Sequence, residues 1–89
     1  MNEKLVEMNS NIDLIQKARK EVADLKAKKI VKRSNAWELA TGTAKEKEDY
    51  VRSMVSKLDK EIDYKEANIE YLYNRNSLLN QELVFLEDE

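Results

Sequence analysis

Residues 51–86 read VRSMVSKLDKEIDYKEANIEYLYNRNSLLNQELVFL, and within them Val51, Val55, Leu58, Ile62, Lys65, Ile69, Leu72, Asn76, Leu79, Leu83 and Leu86 recur in alternating steps of four and three. Nine of those eleven positions are apolar, the exceptions being Lys65 and Asn76. Only a helix wound to about 3.5 residues per turn brings positions so spaced onto one seam. The stretch therefore predicts a long helix built to lie against another helix.

Upstream, residues 1–40 show a looser stripe. Leu5, Met8, Ile12 and Ile15 step by three and four, and Ala18, Val22 and Leu25 follow after a slip of three. Such a slip reads as a stammer that overwinds a coiled coil locally. Ile30, Trp37 and Ala40 prolong the stripe. The break comes at Thr41-Gly42-Thr43, the one glycine in a chain without proline. Gly42 can take the left-handed conformation that ends a helix. Thr43 followed by Glu46 makes a capping box for the next helix, in which hydroxyl and carboxylate serve free backbone N–H groups.

The expected architecture is all-α: an antiparallel two-helix hairpin over residues 1–89, with helix 1 at about 3–40, a turn at 41–43 and helix 2 at about 44–86. Folding about Gly42 sets residue i opposite residue 84 − i. Leu5 then faces Leu79, Ile12 faces Leu72, Ile15 faces Ile69, Val22 faces Ile62, and Met8 meets Asn76. Charge favours the same partners. Residues 1–40 carry nine basic and six acidic groups, and residues 43–89 carry seven and twelve. Each exposed pair contributes only a few tenths of a kcal/mol, about 0.3–0.5, but the pattern selects the antiparallel arrangement.

Helix 2 bears a second row, Tyr50, Tyr64, Tyr71, Leu78 and Phe85, spaced by seven or fourteen residues. On a heptad wheel it lies about 130° from the centre of the first seam, so one facing helix cannot cover both. This surplus predicts self-association into a dimeric four-helix bundle, or a protein partner on the same surface. Tyr64, Tyr71, Leu78 and Phe85 would form the contact. Asn76 would fix register or oligomeric state, at some cost in stability. Trp37 either anchors a partner or covers the seam against Lys47 and Val51.

Histidine and cysteine are absent, which removes imidazole bases, thiol nucleophiles, disulfides and ordinary zinc sites. Helical carboxylate pairs such as Glu66/Glu70 read as a solvated face. With one glycine there is no phosphate-binding loop. The expectation is a protein without enzymatic activity, cofactor or metal. No apolar run is long enough for a membrane span and no signal-peptide core is present, so a cytoplasmic location is expected. The other functional reading is nucleic-acid binding through the basic stretch from Lys17 to Arg33, with Lys28, Lys29, Lys32 and Arg33 as contacts.

The segment Ala40-Thr41-Gly42-Thr43-Ala44-Lys45-Glu46-Lys47-Glu48, leading into a charge-rich helix, resembles short helical-hairpin proteins of bacteriophages and prophages. The resemblance covers roughly a quarter of the chain. It implies a small phage accessory protein that binds a protein partner, such as one that processes DNA, and it transfers no catalytic or binding residue.

Overall fold

The computed structural model describes residues 2–88, with side chains described through Val84. Helix α1 runs Glu3–Leu39 and helix α2 runs Ala44–Asp88. They pack against each other antiparallel as a hairpin whose Cα trace measures 68 × 19 × 13 Å. The radius of gyration is 19.8 Å. A compact chain of this length would have about 12 Å, so the molecule is a rod.

Each helix end has a local cause. Asn2 opens α1: its side-chain oxygen accepts the Lys4 backbone N–H at 2.9 Å, and Glu3 places negative charge at the positive end of the helix dipole. At the other end Ala40 is extended, and its N–H donates to the Ala36 carbonyl at 2.9 Å. Gly42 then takes a φ of +101°, where an added Cβ would stand 2.5 Å from a Glu46 carboxylate oxygen. Thr43 caps α2, its Oγ1 accepting the Glu46 N–H at 3.2 Å. The box differs from expectation in one bond. The Glu46 carboxylate accepts the Thr43 hydroxyl at 3.2 Å, not a backbone amide.

The α2 seam is the one read from the heptads, with Val51, Val55, Ile62, Leu72 and Leu79 buried. The α1 seam is not. Asn11, Ile15, Val22, Leu25 and Ala36 are buried, Met8, Ala18 and Lys29 half-buried, and Leu5 and Ile12 exposed. The line 4, 8, 11, 15, 18, 22, 25, 29 is an unbroken alternation of fours and threes. The stammer disappears once Asn11 replaces Ile12 in the seam. Hydrophobicity alone selects the wrong neighbour there, because Asn11 has a hydrogen-bonding partner across the seam.

That substitution also moves the register. Asn11 meets Asn76, Lys4 meets Glu82, Glu21 meets Lys65 and Lys29 meets Asp59, so residue i stands opposite about residue 87 − i. The flanking pairs Glu7–Arg75 and Lys26–Glu66 fall symmetrically to either side of this register. Leu5 therefore does not face Leu79, nor Ile12 Leu72. Two physical terms make the difference from 84 − i. A helical side chain covers the turn N-terminal to its own Cα, by about one position on each helix, which raises the partner sum by two. The phase of the seams does the rest: at 87 every seam position of α1 meets one of α2, whereas at 84 only alternate positions meet. Val22 and Ile62 do share a cluster, with Leu25, Leu58 and Ile69 around them.

Candidate interaction surfaces

Asn76 belongs to the hairpin's own interior. Its amide donates to the Met8 carbonyl at 3.2 Å, and its oxygen accepts from the Asn11 amide at 2.8 Å. Asn11 is only 7% exposed. A buried amide without such a partner would cost about 1–3 kcal/mol. The pair thus penalises any other alignment of the two helices. Asn76 lies on the seam beside Met8, where the heptads put it, and its amide is taken up within the hairpin rather than at a contact with another molecule.

The tyrosine row does lie outside. Tyr64 is 78% exposed, Tyr71 64% and Leu78 54%, and Tyr50 is also exposed. The α1 helix leaves this face open, because it packs on the other side of α2. Met54 and Arg75 border the row, and Leu14 of α1 stands exposed on the same flank of the hairpin by heptad position. Arg75 donates from Nε and Nη2 to the two Glu7 carboxylate oxygens at 3.0 and 3.3 Å, and this pairing raises its pKa. Phe85, expected to extend the row, has its side chain outside the described residues.

The opposite flank carries a patch that includes Leu5 and Ile12, both expected in the seam. Leu5, Ile12, Tyr73 and Val84 are all exposed there near the free ends. Arg19 holds Tyr73 by donating to its hydroxyl, with the guanidinium carbon 5.1 Å from the ring centre. The sequence signal for this patch was Asn11. Once a polar residue takes the seam position, its apolar neighbour Ile12 is turned outward.

Trp37 sits by the turn, half exposed, with the Lys47 ammonium 5.5 Å from its ring centre. Between Arg33 and Trp37 on α1 and Val51, Arg52 and Val55 on α2 opens a shallow cleft of about 290 Å³. It exists because α1 offers the seam only Lys29 and the small Ala36 at this level.

The basic stretch is divided by the fold. Lys29 is half-buried in the seam and paired with Asp59, and Lys26 is paired with Glu66. Lys28, Lys32 and Arg33 are exposed, but they occupy three different heptad positions. Lys65 spans the seam to Glu21 at 2.6 Å; the hydrogen bond and the opposite charge lower the Glu21 pKa and raise that of Lys65. Among the described residues, no three acidic side chains come close enough to hold a metal ion, and no helix is long and apolar enough to cross a membrane. No protein-family model, curated protein or solved structure matches the chain.

Proposed function

We propose that this chain is a non-enzymatic, cytoplasmic interaction protein that self-associates through the outer face of α2 and presents a second apolar surface to a protein partner. The observation that carries the reading is the exposed row of Tyr64, Tyr71 and Leu78 beside a seam that is already filled. Isolated exposed apolar residues are ordinary, but an aligned row of them marks a contact surface. The flank with Leu5, Ile12, Tyr73 and Val84 is the site for the protein partner. The resemblance of residues 40–48 to phage and prophage hairpins supports reading it as an accessory protein of that kind, with a DNA-processing protein as the partner class. Light scattering across a concentration series tests self-association. A dimer is expected, and a strict monomer at high micromolar concentration removes this reading.

Nucleic-acid binding through Lys28, Lys32 and Arg33 is the competing reading. It is weakened by the capture of Lys26 and Lys29 by carboxylates of α2. It requires an affinity that falls steeply with salt, because phosphate contacts release counterions. Gel retardation at low salt checks it, and no retardation is expected.

A further inference from the structure

Building on the self-association reading, we infer that the second copy packs its α2 antiparallel on this α2, about a two-fold axis beside Asn68. The row then closes on itself, Tyr64 against the second copy's Tyr71 and Lys57 against its Leu78, where the lysine stem covers the leucine and the ammonium reaches water.

Area and charge both lead to this arrangement. A compact protein of 10.5 kDa exposes about 5,400 Å², whereas the hairpin exposes 7095 Å². The excess is about twice the roughly 800 Å² that each partner buries in a standard interface. A second copy is an occupant of matching length, and the row extends along most of α2 from Tyr50 to Leu78.

Charges along the edge of the row set direction and register. The edge carries Met54, Glu61, Asn68, Arg75 and Glu82 at seven-residue intervals. Lys65, one turn beyond Glu61, gives its ammonium to Glu21, and Glu61 makes no ion pair among the described residues. Antiparallel packing about Asn68 brings Glu61 to the second copy's Arg75, of which Glu7 takes only Nε and Nη2, twice by symmetry, and Met54 to its Glu82. In a parallel dimer the two-fold axis runs along the helices and puts the two copies' Glu61–Arg75 edges on opposite sides, so neither pair forms. Slipping the antiparallel pair by one heptad sets Glu61 against Glu82 in one direction and against Asn68 in the other. The register about Asn68 pairs Glu61 with Arg75 twice and keeps tyrosine on tyrosine, whereas one slip pairs only Lys47 with Glu82 and the other opposes Glu61 with Glu82. Like charges in direct opposition oppose association.

The absence of native cysteine makes the arrangement directly readable. Met54→Cys and Glu82→Cys proteins are oxidised separately and as a mixture, alongside light scattering of the unmodified chain. The expected result is a disulfide between the two variants in the mixture, with neither variant linking to itself. Disulfides within each variant alone would overturn this geometry while leaving self-association intact. A monomeric wild type would overturn both. Glu61→Arg should weaken the dimer roughly tenfold, since two pairs of modest strength turn repulsive, while Glu61→Gln changes it far less and both retain helicity. Equal affinity for all three proteins would overturn the assigned register.

Discussion

The half of the hairpin near the free ends and the half near the turn are closed by different means. From the middle of the rod to the free ends, Ile15, Val22 and Leu25 of α1 meet Ile62, Ile69, Leu72 and Leu79 of α2, large aliphatic side chains on both sides. Near the turn, α1 supplies Lys29, Ala36 and Ala40 against Val51 and Val55, and the gap left over is the cleft beside Trp37. Close to Gly42 the covalent connection already holds the helices together, so little loop entropy opposes their contact. Farther away only packing can hold them, and that is where the apolar mass and the asparagine pair are found. The patch of Leu5, Ile12, Tyr73 and Val84 lies in the far half, whereas the tyrosine row continues past the middle of α2 to Tyr50.

The sharpest way to test this contrast is to remove core volume in the far half. Leu79 is 1% exposed, and Leu79→Ala should cost about 3 kcal/mol, the transfer term plus an uncollapsed cavity. Val55→Ala, in the near half, should cost about 2 kcal/mol or less, because fewer methyl groups are lost beside an already open cleft. Urea unfolding followed by circular dichroism measures both. Equal losses would show that the halves are equivalent.

Next in size is the connection itself. Gly42→Ala places a Cβ where φ is +101° and where Glu46 closes the turn. The left-handed backbone alone costs about 1–2 kcal/mol, and the capping bond between Thr43 and Glu46 is disturbed as well. The melting temperature should fall, with the loss concentrated in the near half by amide exchange. An unchanged melting temperature would mean that the turn contributes little to holding that half.

The asparagine pair gives a smaller effect with a distinctive sign. A lone polar residue on a seam is expected to gain stability when replaced by leucine. Here Asn76→Leu orphans the Asn11 amide and removes the second bond to the Met8 carbonyl, so the apolar gain of about 1.5–3 kcal/mol is offset by about 1–3 kcal/mol of lost hydrogen bonding. The single variant should melt near the wild type. Changing Asn11 and Asn76 together to leucine should raise the melting temperature and broaden the oligomers seen by light scattering. A single variant as stable as the double would dissolve the pairing.

The smallest effect is that of pH. Glu21 has its pKa lowered by Lys65, so its contribution is present above the unfolded carboxylate value and lost as the pH falls through the lower folded value. Lys65 has its pKa raised, so its contribution is present below the unfolded lysine value and lost as alkali titrates it through the higher folded value. The melting temperature should be flat between those limits, with shallow losses outside them. Glu21→Gln should blunt both limbs together.

Much of this was legible in the chain. The α2 seam, the break at Gly42 and the Thr43 cap follow from spacing and local chemistry, and so does the exposure of Tyr64, Tyr71 and Leu78, since a period of seven places them away from the seam. The α1 seam was not legible, because Asn11 and Ile12 are adjacent and hydrophobicity favours the isoleucine. The choice of Asn11 depends on Asn76, sixty-five residues away, through a bond that no local pattern contains.

By itself, then, the sequence determined two helices, where they part, and which face of α2 meets α1. Periodicity and capping are local, and each is decided within a few turns. Only the tertiary structure decided the register, the turning outward of Leu5 and Ile12, the pairing of Asn76 with Asn11, and the division of the basic stretch into paired and free lysines. These depend on which residue stands across the seam, and that is settled when side chains of both helices lean, interlock and satisfy one another's polar groups together.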